Sequence, residues 1–169
     1  MTPAVYILCG IPFAGKSTLA HILAMQRGWT HVEVDAIAQS LIDPSDSDVT
    51  EEQWTEAFTT SYEQIAASLA RGQSVVHDAT NYQRTARDRV RAIAHQFGSS
   101  AHVVYIAVPI EEADRRRIAN QAQPQRHQVS DTDFLDVVSS LEPPTADESV
   151  LVFDGTLDVV TWIERVICD

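Results

Sequence analysis

Residues 10–17 constrain the fold of this chain more than any other feature of its sequence. They read Gly-Ile-Pro-Phe-Ala-Gly-Lys-Ser and fit the pattern G-x-x-x-x-G-K-[ST]. The segment follows an apolar run, residues 5–9, that predicts a buried strand, and it precedes an amphipathic stretch typical of a helix that ends at Gly28. A glycine-rich turn between a strand and a helix presents successive backbone N–H groups, so these residues predict a phosphate-binding loop.

The side chains of this loop match the chemistry of a nucleoside triphosphate. Lys16 is the only lysine of the chain, and its ammonium group predicts a contact with the β- and γ-phosphates. Ser17 offers a hydroxyl group to Mg²⁺. The predicted nucleotide-binding residues are Gly10, Ile11, Pro12, Phe13, Ala14, Gly15, Lys16, Ser17 and Thr18, although Thr18 also fits the first turn of the helix. The sequence has no Asn-Lys-x-Asp motif that would read guanine, so we expect ATP and Mg²⁺ as the cofactors.

The rest of the chain alternates between short apolar runs and amphipathic stretches. Strands buried on both faces are predicted over residues 31–34, 74–77, 102–108 and 150–153, which are rich in valine and isoleucine. The longest helix is predicted over about 51–69, where Thr50 and Gln53 form a capping box. Further helices are predicted over 86–97, with an arginine-rich outer face, and from 157 onward. This alternation favours a parallel sheet with helices on both faces.

Length and composition limit the kinds of protein that this chain can be. With 169 residues it is expected to form a single domain, 1–169. The net charge of −12 disfavours extensive contact with nucleic acid, although it leaves a local basic cleft open. No apolar run approaches the roughly 18 residues of a membrane span, and the N-terminus does not resemble a secretory signal. With only two cysteines and no membrane partner expected, the predicted location is cytoplasmic, while the oligomeric state is open.

Two aspartates follow predicted strands, and ligands of open parallel sheets bind beyond the carboxyl ends of the strands. Asp35 comes directly after the run 31–34 and could accept the proton of an attacking hydroxyl group. Asp78 closes the run 74–77 in the manner of a Walker B acid and could hold a metal-bound water or orient the acceptor. Either aspartate could instead cap a helix. His77 alternates with Asp78, so we expect its side chain to point away, into the core or to the surface.

A charged segment and an irregular one follow the fourth predicted strand. Residues 111–117 contain three acidic residues and three consecutive arginines, which predicts a charged helix. The following stretch, roughly residues 120–129, is rich in glutamine, lacks apolar periodicity and is predicted to be irregular. We interpret residues 111–130 as a lid in which Arg116 and Arg126 close over the nucleotide and add positive charge at the transferring phosphoryl group. The alternative interpretation is a solvated helix face followed by a linker.

Together these residues resemble a known group of proteins. The chain resembles the P-loop kinase group that contains the kinase domain of polynucleotide kinase and the zeta-toxin-like ATP-binding proteins. The resemblance covers most of the chain and rests on residues 10–18, Asp35, residues 78–81, Arg116 and residues 142–144. It implies a three-layer α/β/α P-loop NTPase fold whose five-stranded parallel sheet has the order 2-3-1-4-5.

The resemblance also implies roles for particular residues. Asp35 matches the aspartate that activates the acceptor, and Arg116 matches an arginine of the lid. Asp35, Asp78, Thr80 and Asn81 are the predicted acceptor-binding residues, and Ser17 and Asp78 are the predicted metal ligands.

Three positions depart from the pattern of this group. Ala38 stands where polynucleotide kinases carry an arginine that helps to hold the acceptor strand, and Asn120 stands where they carry a second lid arginine. Arg126 could replace that second arginine. Phe13 replaces a glycine that is usual in the loop.

The sequence therefore predicts an enzyme that transfers the γ-phosphoryl group of ATP·Mg²⁺ to a hydroxyl acceptor. Its predicted catalytic residues are Lys16, Asp35, Arg116 and Arg126. The net charge of −12 and Ala38 favour a small-molecule acceptor, and a 5′-hydroxyl polynucleotide kinase is the alternative. An ATP-binding switch or partner-binding module with little transfer activity is a hypothesis from another class, motivated by Ala38 and Asn120.

Overall fold

Five strands form one parallel sheet in the order β2-β3-β1-β4-β5, as the resemblance implied. The structure is a computed structural model, and it describes residues 2–43, 48–124 and 128–167. The strands in these ranges are β1 (Ala4–Cys9), β2 (Thr30–Glu33), β3 (Val75–Asp78), β4 (Ser100–Ile106) and β5 (Val150–Phe153). The predicted α/β fold class and strand order are therefore confirmed.

Burial differs between the centre and the edge of the sheet. All six residues of β1 and all four residues of β3 are buried, as the apolar runs predicted. The prediction of two buried faces is wrong for β5, where the side chain of Val152 is 52% exposed. The strand β5 pairs only with β4 and lies at the edge of the sheet, so less of its surface is covered.

Helices cover both faces of the sheet and complete a three-layer architecture. The described helices are α1 (Lys16–Arg27), α2 (Val34–Ser40), α3 (Glu51–Ala70), α4 (Arg84–Gln96), α5 (Ile110–Ala122), α6 (Asp131–Ser140) and α7 (Val159–Val166), with a 3₁₀ turn at Ala146–Glu148. Leu19 of α1 and Ile163 of α7 belong to one buried apolar cluster with β1. Ile65 of α3 and Val90 of α4 belong to a second cluster, which includes the β1 residues that point the other way.

Helix α3 forms where the sequence predicted it, and α2 was not predicted. Both hydrogen bonds of the capping box between Thr50 and Gln53 are present. The run 31–34 was expected to be all strand, but β2 ends at Glu33 and Val34 already begins α2. Asp35 therefore lies in the first turn of a helix rather than directly after a strand.

The arginine-rich face of α4 is not wholly an outer face, because Arg87 is completely buried. Its guanidinium group donates from Nε to Glu148 Oε2 at 2.7 Å, and Glu148 is buried as well. It also donates to the backbone oxygens of Asn81 at 3.0 Å and Tyr82 at 3.2 Å. This paired arginine thus fastens α4 and the 3₁₀ turn to the connection that follows β3.

Part of the predicted irregular segment is helical, because α5 continues through Asn120 to Ala122. Residues 125–127, and with them Arg126, lie outside the described residues. Within the described ranges, none of the helices is both long enough and apolar enough to cross a membrane.

Candidate active site

The phosphate loop connects β1 to α1, and its backbone angles explain its two glycines. A Cβ atom on Gly10 would lie 3.1 Å from the backbone oxygen of Ile106, so a larger residue would force the loop away from β4. Gly15 has a φ of 104° and forms the N-cap of α1. The backbone N–H groups of the first turn of α1 therefore begin directly after the loop, which is the arrangement that favours an anion.

Phe13 is the unusual residue of this loop. Its φ is 63°, in the left-handed region that favours glycine, which is the residue usual at this position in the resembling group. The side chain is 5% exposed and belongs to the same apolar cluster as Leu19. Apolar packing therefore offsets a backbone conformation that costs a non-glycine residue roughly 1–2 kcal/mol.

The ammonium group of Lys16 is held close to the loop. Nζ donates to the backbone oxygens of Gly10 at 3.1 Å and Ile11 at 2.8 Å, and the residue is 7% exposed. Ser17 follows it in the first turn of α1 and lines both of the cavities described below. The two side chains predicted to meet phosphate and metal therefore start from the same turn.

Side chains from β2 and β3 converge at the carboxyl edge of the sheet. Glu33 and Asp78 are register partners in neighbouring strands, and His31 Nε2 lies 3.2 Å from Asp78 Oδ2. One ligand atom from each of these three residues lies within 4.8 Å of the others. The hydrogen bond to Asp78 raises the pKa of His31. Two carboxylates and an imidazole so arranged could hold a divalent cation.

Sequence reasoning missed His31 and Glu33 as members of this group. The signal available was their alternation, since residues 31 and 33 must point to one side of the strand. Which side that is, and that Asp78 lies opposite, depends on the pairing of β2 with β3. The position of Asp78 at the end of a strand was therefore enough to predict it, whereas His31 and Glu33 could be found only from the strand pairing.

The alternative that Asp35 or Asp78 caps a helix is wrong. Glu33 is the N-cap of α2 and Gln83 is the N-cap of α4. Asp35 is half-buried in the first turn of α2, where its side chain lines both cavities. Asp78 is 3% exposed and lines the second cavity.

Thr80 and Asn81, both predicted to bind the acceptor, lie in different environments. Thr80 lines the second cavity, and its backbone oxygen accepts a hydrogen bond from Gly10 N at 3.1 Å. Asn81 is 3% exposed, and its side chain donates to the backbone oxygen of Leu8 at 2.7 Å and lies 3.3 Å from His77 Nδ1. The structure therefore brings Thr80 to the site and places the amide of Asn81 in the interior, where it satisfies a strand carbonyl.

His77 is a core residue, which is one of the two placements expected from the sequence. Its side chain is completely buried, next to Ser61 Oγ at 3.4 Å as well as Asn81. Burial lowers the pKa of His77 to about 4. Burial likewise raises the pKa of the Cys9 thiol to about 11, which makes it a poor nucleophile.

The three consecutive arginines of α5 have different surroundings, although Arg115 and Arg116 both pair with Glu112. Arg116 donates from Nη1 to the backbone oxygens of Ala14 at 3.2 Å and Phe13 at 3.4 Å, so its guanidinium group lies against the phosphate loop. The side chain of Arg115 is 71% exposed and pairs with Glu112. Arg117 points inward and pairs with Asp114 and Asp131. Of these three, Arg116 is the one that the predicted lid role fits.

Two cavities open beside the phosphate loop. The first, of about 740 Å³, lies between α1, α2 and α5 and is lined by Arg115, Arg116 and Asn120. The second, of about 620 Å³, lies between β2, β3, α3 and α6 and includes Lys16. Ser17, Glu33 and Asp35 line both cavities and form their junction.

The position of this loop between β1 and α1, together with the strand order, defines a P-loop domain. The chain belongs to the family described as AAA domain, whose model matches residues 5–144. No curated protein shows a significant sequence match to the chain. The narrower resemblance to polynucleotide kinase and the zeta-toxin-like proteins stays a prediction.

Solved structures share this fold over nearly the whole chain. A candidate kinase from Chloroflexus aurantiacus is 21% identical with a TM-score of 0.79, covering 98% of this chain and 99% of its own. A sugar kinase from Janibacter is 22% identical with a TM-score of 0.69, covering 98% and 92%. The APS kinase of Mycobacterium tuberculosis, solved with AMPPNP and APS, is 15% identical with a TM-score of 0.70, covering 98% and 96%. At these identities the likeness shows the fold.

Proposed function

We propose that this protein is an ATP-dependent phosphotransferase that transfers the γ-phosphoryl group to a hydroxyl group of a small molecule. The observation that carries the proposal is the junction of the two cavities, where Ser17 and the carboxylate of Asp35 lie between a phosphate loop and a second binding space. The similar solved structures, which include a sugar kinase and an APS kinase, support this class of reaction.

On the donor side, the loop amides and Lys16 bind the phosphates of ATP. The first cavity takes the rest of the nucleotide, since Arg115 and Arg116 give it a positive wall. Mg²⁺ fits the oxygen ligands of the second cavity, with Ser17 and Asp78 as the proposed ligands and Glu33 close to Asp78. When bound, Mg²⁺ neutralises charge on the transferring phosphate.

On the acceptor side, the second cavity holds the molecule whose hydroxyl group attacks the γ-phosphorus. Asp35 takes the hydroxyl proton, the new oxygen–phosphorus bond forms, and the bond to the bridging oxygen of ADP breaks. Asp78 and Thr80 line the same cavity and position the acceptor.

The lid and the domain organisation belong to the same proposal. A single domain of residues 1–169 carries a lid over 111–130. Arg116 already contacts the loop through two backbone oxygens, so α5 is placed to deliver its charge when the nucleotide binds. Arg126, outside the described residues, is proposed as the second lid arginine in place of Asn120.

The experiment that tests this function measures ATP consumption with and without added acceptors. Turnover that rises strongly with one acceptor supports the enzyme, whereas nucleotide binding without acceptor-dependent turnover would indicate an ATP-binding switch. Preferential turnover of 5′-hydroxyl oligonucleotides would support the polynucleotide kinase alternative. The panel therefore includes nucleosides, oligonucleotides, sugars and antibiotics with labelled ATP.

The variant Lys16→Ala tests whether the loop binds the phosphates of ATP. We expect nucleotide binding to fall below detection by calorimetry, because the only ammonium group aimed at the phosphates is removed. Its two hydrogen bonds to the loop also disappear, each contributing about 1.5–3 kcal/mol because the donor is charged. The cost of burying the ammonium group disappears with them, so the variant should remain folded. Circular dichroism checks the fold. Wild-type ATP affinity in Lys16→Ala would contradict the phosphate-loop assignment.

A further inference from the structure

The second cavity is acidic, which is unusual for a space beside a phosphate-binding loop. Its described lining residues include five carboxylates, which are Glu33, Asp35, Asp48, Asp78 and Asp133. Lys16 is the only lysine or arginine among these described lining residues. An acceptor that carried a carboxylate, sulfate or phosphate group would meet repulsion there.

The proposed chemistry of the donor accounts for only part of this charge. Lys16 belongs to the phosphates of ATP, and Asp78 is paired with His31 and proposed as a metal ligand. Asp48 and Asp133 lie on other walls, before α3 and in the first turn of α6. Both are exposed, and Asp133 accepts a hydrogen bond from Ser130 Oγ at 2.7 Å. The negative charge of Asp133 remains when ATP·Mg²⁺ is bound, because the hydroxyl group that donates this hydrogen bond is neutral.

The same cavity has an aromatic wall. Trp54 and Phe58 lie one turn apart on α3, and Tyr82 joins them from the connection between β3 and α4. All three are half-buried, so part of each ring is accessible. Aromatic faces attract organic cations and also bind apolar ring faces, and the attraction grows when the site excludes water.

We infer that the acceptor is a hydroxylated amine, a small molecule that carries a positive charge and an apolar or ring face next to its hydroxyl group. This inference rests on the proposed function and adds the substrate class. The ring face lies on Trp54, Phe58 and Tyr82, and the amine lies near Asp133. The hydroxyl group then points to Asp35 at the junction with the donor.

A matched set of acceptors tests the charge of the substrate directly. Phenylalaninol, 2-methyl-3-phenylpropan-1-ol and 2-(hydroxymethyl)-3-phenylpropanoate share the same benzyl group and primary hydroxyl group, and they carry an amine, no charge and a carboxylate at one carbon. The compounds 6-amino-6-deoxyglucose, glucose and glucuronate form a second series that differs only at C6. We measure labelled phosphate transfer from ATP and the thermal shift in the presence of AMPPNP and Mg²⁺. We expect the highest kcat/KM and the largest shift for the amine of a series, with KM rising at higher salt.

Two variants on one helix separate cavity charge from net charge. Asp133→Asn removes a carboxylate that lines the cavity, and Asp136→Asn removes an exposed carboxylate of the same helix that does not line it. We expect Asp133→Asn to raise KM for the amine about three- to ten-fold, in the range of one screened charge pair, with little change in kcat. Asp136→Asn is the control and should keep the wild-type KM.

The outcomes distinguish the substrate class from the function itself. Fastest turnover of the neutral or acidic member of either series would overturn the inference while leaving a kinase in place. An unchanged KM in Asp133→Asn would also overturn it. ATP binding without transfer to any compound, including the wider panel, would contradict the proposed function and the inference with it.

Discussion

Two opposing energies act at Phe13, the strain of its left-handed backbone and the burial of its aromatic ring. Glycine at this position would relieve a left-handed conformation worth roughly 1–2 kcal/mol. It would also remove a ring that is 5% exposed, and losing a buried aromatic side chain costs about 3–5 kcal/mol. The larger effect decides, so we expect Phe13→Gly to lower the free energy of unfolding by about 3 kcal/mol. Urea denaturation measures it, and a more stable Phe13→Gly would show that strain dominates.

Asp35 lines both cavities from the first turn of α2. If it accepts the hydroxyl proton, Asp35→Asn leaves ATP affinity within a few-fold and lowers the acceptor-dependent rate by about 10²-fold or more. Calorimetry and steady-state kinetics separate these two quantities. Ser40→Ala, at the exposed end of the same helix, is the control. Loss of ATP binding in Asp35→Asn would instead place this carboxylate at the metal.

At the scale of elements, the lid prediction depends on which arginine of α5 reaches the loop. Arg115 and Arg116 both pair with Glu112, and Arg116 also donates to two loop carbonyls. A hydrogen bond to a charged group contributes about 1.5–3 kcal/mol, so Arg116→Ala should weaken ATP binding about ten-fold or more. Arg115→Ala should have a much smaller effect. Equal losses in the two variants would mean that α5 contributes only general positive charge.

The same elements show what the sequence could predict. The strands, α1 and α3 were predictable because their apolar patterns, and the capping box of α3, lie within short contiguous stretches of the chain. Helix α2 was missed because its seven residues directly continue an apolar strand run. The inward direction of Arg87 depends on Glu148, its partner 61 positions away. The grouping of His31 and Glu33 with Asp78 depends on strand register in the same way.

In the candidate site as well, the residues that are contiguous in the chain were predictable and those that are brought together by packing were not. Loop residues 10–17 were predictable in full, since the motif, strand and helix are contiguous. The acidic and aromatic second cavity was not, because its walls come from β2, β3, α3 and α6, which are distant in sequence. Local pattern thus predicts where the proposed phosphate-binding loop lies, and the packing of helices decides which residues line the proposed acceptor cavity.

At the scale of the whole molecule, acid is expected to destabilise the fold through His77. Its pKa is lowered from an ordinary value of 6.5 to about 4 by burial, so between these pH values the unfolded chain binds a proton that the folded chain does not. Stability from this group is therefore present above pH 6.5 and is lost as the pH falls toward 4, by up to about 1.4 kcal/mol per pH unit. The pKa values of Glu112 and Asp147 are lowered to about 2, so the stability that these two carboxylates contribute is lost only at a pH lower than the range in which His77 titrates.

Urea denaturation at pH 7 and pH 5 measures this loss. From pH 6.5 to pH 5 the contribution of His77 amounts to about 2 kcal/mol, and His77→Gln, which cannot bind the proton, should lose correspondingly less stability over the same interval. The lowered pKa of His102 acts in the same direction and the raised pKa of His31 in the opposite one, but both histidines remain in the variant. If His77→Gln loses as much stability as the wild type, the buried imidazole is not the group that makes this fold sensitive to acid.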